Sequence, residues 1–124
     1  MSNFDEHSDA DLMNDLVNFT FQLRPLYLKL PFFKNIRQMT YKKAIEYFVE
    51  NKPPIPFETG VMIIEREDKD DVDSAFFVQV FLDKNNQPVS DPVTGKPYGR
   101  RCLIRGMDDE LTAVFGDKQV VIVK

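Results

Sequence analysis

Apolar residues recur along the first part of the chain at helical spacing: Leu12, Leu16, Phe19 and Leu23 follow at intervals of four, three and four, with Met13 and Val17 beside them. Residues three and four apart share one face of a helix, so this stripe predicts an amphipathic helix. Ser8, followed three residues later by Asp11, supplies a start of the capping-box kind, and Asp9 and Asp11 suit the positive end of the helix dipole. Pro25 biases Arg24 away from helical angles, which ends the helix near residue 23 or 24.

Between Pro25 and Pro31 the run Leu26-Tyr27-Leu28-Lys29-Leu30 fits two templates. Its alternation suits a short strand, whereas Leu23, Leu26, Tyr27 and Leu30 make a helical set. The bracketing prolines favour an extended or single-turn connector. Phe32, Phe33, Ile36 and Met39 would then line one side of a short helical turn. A second full helix is expected from Thr40, a good N-cap, with Tyr41, Ala44, Ile45, Phe48 and Val49 on one face. Pro53, Pro54 and Pro56 stop it.

Beyond the prolines the period changes from helical to alternating. Gly60 to Arg66, Ala75 to Leu82, Arg100 to Arg105 and Gln119 to Val123 are β-branched and aromatic runs of strand length, parted by Gly, Pro, Asn and Asp clusters. The first two flank an acid-rich turn and read as a hairpin. Asp83 to Gly99 is long for a structureless connection, so it reads as a further β excursion or a binding loop. Asp108 to Phe115 reads as a short helix with acids in its first turn and Gly116 as its stop, carrying the chain to a parallel last strand. The resulting order, α-α-β-β-β-α-β, predicts a two-layer α+β domain with N-terminal helices packed on a mainly antiparallel sheet of four strands or slightly more. Residues 1–124 form one such domain, with 1–7 loose, a helical part at 8–52 and a sheet part at 59–124.

Composition agrees with an ordered core: of 124 residues 43% are hydrophobic, 29% are charged and eleven are Phe. The longest apolar runs, Val61 to Ile64 and Val120 to Val123, fall far short of the roughly 20 residues that a membrane-spanning helix needs. The acidic start lacks the basic and apolar regions of a secretory signal, and a lone cysteine, Cys102, cannot form an internal disulfide. Both point to the cytoplasm.

Charge changes the picture more. The net charge of −4 argues against bulk attraction to nucleic acid. Yet residues 16–45 carry Arg24, Lys29, Lys34, Arg37, Lys42 and Lys43 and no acid at all. On a helix beginning at Thr40, Lys42 and Lys43 are matched by Glu46 and Glu50, which leaves Arg24, Lys29, Lys34 and Arg37 without local partners. They are interleaved with Tyr27, Phe32 and Phe33, as in single-stranded nucleic-acid sites, but also with Leu26, Leu28 and Leu30, which better serve a core or a protein interface.

Catalytic constellations are sparse. The single histidine, His7, lies at the loose start, and Cys102 sits between apolar neighbours, where a small buried residue is the simpler reading than a reactive thiol lowered by Arg100, Arg101 and Arg105. A calcium loop from Asp68 fails because Asp73 stands where glycine is required and Gln79 where glutamate is. Glu67-Asp68-Lys69 has the spacing of some magnesium nucleases but lies where a strand gives way to a turn, and Gly95-Lys96 lacks the rest of a phosphate loop. Alternation in the third strand puts Arg101 and Arg105 on one face, where two guanidinium groups suit phosphates or carboxylates, with cross-strand pairing to acids of neighbouring strands as the simpler use.

Three functions follow as expectations. The first is a non-catalytic protein-interaction or accessory domain, with a homodimer among its allowed assemblies, contacting partners through Leu26, Tyr27, Leu28, Leu30, Phe32 and Phe33. The second is nucleic-acid binding through Arg24, Lys29, Lys34 and Arg37. The third is a small enzyme or anionic-ligand binder using Arg101 and Arg105. No metal or cofactor is called for, and the chemistry leans away from an enzyme.

Overall fold

The computed structural model describes residues 29–65 and 74–123. In chain order these form β1 (Phe32–Ile36), α1 (Tyr41–Glu50), β2 (Thr59–Glu65), β3 (Ala75–Leu82), β4 (Gly99–Ile104), α2 (Asp109–Phe115) and β5 (Val120–Val123). The strands make one mixed sheet in the order β1-β4-β3-β2-β5. An α+β class therefore holds, while the details differ from expectation. The sheet has five strands, and β1 is parallel to β4. The helix expected at 8–23 lies outside the described residues, as do Arg24, Leu26, Tyr27, Leu28 and the acid-rich turn at 67–73.

Residues 32–36 form a strand where helical spacing suggested a turn. A short apolar run satisfies both periods, and the partner strand decides between them. Phe32 pairs in register with Arg101 and Phe33 with Cys102, and a register shift separates Phe33 from Ile36. The pairing continues beyond the strand: Met39 bridges Met107, its amide donating to the Gly106 carbonyl at 2.9 Å.

β2 and β3 pair antiparallel from Thr59–Leu82 to Glu65–Phe76, the arrangement of a hairpin. β5 lies beyond β2 and runs antiparallel to it, so the expected parallel last strand is corrected. Helix length gives the reason. The seven residues of α2 rise by only about 10 Å, whereas β4, at roughly 3.3 Å per residue, is about twice as long. The helix cannot return the chain to the far end of the sheet, so β5 starts near the end at which β4 stops. The 83–99 segment is a β excursion, with bridges Leu82–Pro88 and Ser90–Pro97 and with Val89 buried.

Both helices lie on one face. Ala44 and Phe48 of α1 and Leu111 and Phe115 of α2 pack in one buried cluster with Met62, Ile64, Phe77, Phe81, Cys102 and Ile104. The approach is close at β2, where a Cβ on Gly60 would stand 2.7 Å from the Phe48 ring. The opposite face holds a second buried cluster of Leu30, Val61, Ile63, Val78, Val80, Leu82 and Val120. β2 and β3 are thus buried on both sides, which accounts for their near-continuous apolar sequence. Thr40 caps α1 through a bond from the Lys43 amide, and Asp108 caps α2 through a bond from the Leu111 amide. Among the described residues no helix is long and apolar enough to cross a membrane.

Candidate functional site: the basic edge formed by β1 and β4

Parallel pairing joins two stretches whose paired residues, such as Phe32 with Arg101, are more than sixty positions apart in the chain. One is residues 29–43, with Lys29, Lys34, Arg37, Lys42 and Lys43; the other is residues 96–107, with Lys96, Arg100, Arg101 and Arg105. Neither contains an acid. The two stretches that pair at this end of the sheet, in an acidic protein, thus bring cations together and contribute no acid of their own. Among the described residues β1 is the terminal strand, and its aromatic residues remain partly open: Phe32 is 38% and Phe33 47% exposed. Alternation sends the two rings to opposite faces.

Phe32 belongs to a layered group. The Arg101 guanidinium carbon lies 4.4 Å from the Phe32 ring centre and 5.2 Å from that of Phe76, and Lys34 Nζ lies 5.7 Å from Phe32. The rings of Phe32 and Phe76 are 6.0 Å apart. Cation–π contacts of this kind contribute about 0.5–2 kcal/mol each, more as they lose water. Arg101 Nε is buried without a hydrogen-bond partner, and the guanidinium packs on both rings. Arg105 lies just past the end of β4, exposed, with its amide bonded to the Ile36 carbonyl at 3.1 Å. Arg101 is thus committed to aromatic rings while Arg105 is open to solvent.

The remaining sites divide. Leu30 is 5% exposed and packs in the second core cluster, so of the apolar partner-binding residues it is core. Lys29, Lys34 and Arg37 are exposed. The pairing brings Phe32, Lys34 and Arg101 together, and places Lys29 instead beside a cleft next to α1. Lys42 reaches Glu46 at 4.0 Å, as helical spacing requires.

On the helical face of β4, Arg100 does something the sequence did not suggest. Its Nε donates to Gln79 Oε1 at 2.7 Å, and Gln79 Nε2 donates to the Ala44 carbonyl of α1 at 2.9 Å. Gln79 is completely buried, and its two bonds satisfy both ends of its amide. The Arg100 guanidinium then lies 4.2 Å from the centre of the Tyr47 ring. Sequence alternation assigned Gln79 only to a strand; its use became visible once β3, β4 and α1 met.

Cys102 is fully buried between these arginines in sequence. Burial pushes its thiol above the ordinary range, with Arg100 opposing, so the thiolate that nucleophilic chemistry requires is disfavoured. No cluster of three or more His, Cys, Asp or Glu positioned for a metal occurs among the described residues. Comparison of the chain with protein-family models, with curated proteins and with solved structures finds no match in any of the three.

Proposed function

We propose that the protein is a small interaction domain that docks an acidic, extended segment of a protein partner along β1. The observation that carries this reading is the parallel pairing of β1 with β4, which sets exposed Phe32 and Phe33, on the strand that is terminal among the described residues, within two paired stretches that hold cations and no acid. A terminal strand offers backbone donors and acceptors to an added strand, while side-chain contacts on either face give specificity. Phe32 and Phe33 supply apolar contact, and Lys34, Arg37 and Arg105 complement an acidic sequence.

Charge favours a different chain as partner over a second copy at the same strand. In a two-fold dimer built on β1, Lys34 and Arg37 of each protomer would face the same cations. Single-stranded nucleic acid is the second reading, motivated by the same cations. It is the weaker one because Phe32 already packs against Arg101 and Phe76, leaving less ring surface for a base.

The test is titration with a synthetic peptide of alternating acidic and apolar residues, followed by amide NMR. Binding should perturb β1 and β4, and K34E/R37E should weaken it at least tenfold with the fold intact. Tighter binding of a single-stranded oligonucleotide than of the peptide, or self-association that K34E/R37E leaves unchanged, would overturn the reading.

A further inference from the structure

A second cationic feature lies apart from the outer edge of β1. The C-terminal end of α1, the β excursion and the chain entering β1 enclose an open cleft of about 550 Å³. That is within the range of roughly 300–1,000 Å³ typical of small-molecule sites. Lys29, Lys52 and Lys96 line it, together with Tyr47, Asn51 and Tyr98, and among the described residues no carboxylate does. All three lysines are exposed. Asp91, on the same excursion as Lys96, is turned onto its own loop, where it accepts from the amides of Val93 at 2.7 Å and Thr94 at 3.2 Å.

The walls are held from beneath. Buried Gln79 fixes Arg100, and Arg100 packs on the Tyr47 ring, as described above. Gly99 completes the wall by close approach of two strands: a Cβ there would stand 2.2 Å from the Gln79 carbonyl oxygen. Tyr47 is therefore presented by a chain of contacts that begins inside the core, and its partly buried position keeps the phenol in its neutral, hydrogen-bond-donating form.

We infer that this cleft binds a small phosphate ester that carries at least two negative charges and a flat ring, a nucleoside diphosphate by chemical class. Lysine ammonium groups act as point charges for phosphate, and three around one cleft exceed what a single carboxylate would need. The tyrosines and prolines of the walls offer the ring an apolar surface that inorganic phosphate cannot use.

The test uses ADP without magnesium at low salt, with pyrophosphate as the probe for charge alone. ADP should bind saturably with one-to-one stoichiometry, at least tenfold more tightly than pyrophosphate, and amide shifts should centre on Asn51, Lys52, Lys96 and Tyr98. K52E/K96E should weaken ADP at least tenfold with an unchanged melting midpoint, whereas K34E/R37E should leave it unaltered. That last variant separates this site from the docking strand. Absence of saturable binding, equal affinity for pyrophosphate, or equal loss in K34E/R37E would each overturn the inference.

Discussion

At the residue scale, the sheet interior places ionisable groups where their charged forms are disfavoured. Burial raises the Cys102 thiol, and Arg100 opposes the shift; burial also raises the Tyr47 phenol, with Arg100 again opposing and Cys102 adding to it. In both cases the folded state holds a proton more tightly than the unfolded chain. Their contribution to stability is therefore complete below the unfolded values, about 8.5 for Cys and about 10 for Tyr, and is lost as pH rises through the folded ones. Urea midpoints should accordingly fall between about pH 8 and about pH 10.5. In Cys102→Ala the early part of that decline should disappear while the later part stays. The slope is the readout, because removing a buried side chain lowers stability at every pH. An identical slope in the variant would show that the thiol does not contribute.

At the scale of elements, Asp108 links two helices. Its carboxylate accepts from the Leu111 amide at 2.9 Å as the cap of α2, and the same oxygen accepts from the Tyr41 amide, 3.1 Å away at the start of α1. Its own amide donates to the Met39 carbonyl at 3.0 Å. One side chain thus serves donors at both helix starts, which otherwise have no partner within their helices. Asp108→Ala should cost about 1–2 kcal/mol, the upper part of the range for a lost cap, and should exceed the cost of Thr40→Ala, which removes one bond. Equal losses in chemical denaturation would mean that the bond to Tyr41 contributes nothing. The two caps also mark how far the sequence could be read. Thr40 caps and Gly116 stops a helix at the positions the sequence suggests, and Asp108, read as the first residue of its helix, is the cap one residue before it, because these end signals are local. The four long-sequence strand runs likewise correspond to β2, β3, β4 and β5 to within a residue or so at each end. What failed was non-local. β1 became a strand only through β4, and β5 took its direction from the length of α2. On α1 the buried face is centred on Ala44 and Phe48 with Tyr47 beside the sheet, while Val49 is 59% exposed, because packing rather than periodicity sets the final rotation. The candidate site followed the same division. Its cations were visible as an acid-free stretch, but their union with the arginines of β4, and the roles of Gln79, Lys52, Lys96 and Tyr98, depended on which segments meet in space.

At the scale of the whole molecule, the arrangement of charge matters more than its sum. The net charge is −4 and the isoelectric point is near 5.0, so an even distribution would repel anions at neutral pH. The fold instead collects exposed Lys34, Arg37 and Arg105 around β1, in stretches without a carboxylate. Surface charges interact over about 10 Å at 0.1 M salt, so a local patch can attract an anion that the distant acids no longer repel. The expected consequence can be measured without any partner. At pH 7.5 and very low salt the protein should be held on a sulfonate resin, although its net charge has the sign of the resin, and it should elute early in a salt gradient as the Debye length shortens. The K34E/R37E/R105E variant should flow through, with an unchanged circular dichroism spectrum and melting midpoint. Reversing Lys42 and Lys43 should have a smaller effect, since Lys42 already pairs with Glu46 on α1. If the native protein flows through at the lowest salt, the cations around β1 are neutralised by carboxylates elsewhere on the surface. If the triple variant is retained as well as the native chain, the attraction comes from another face, and the cleft beside α1, with Lys29, Lys52 and Lys96, is the next surface to reverse.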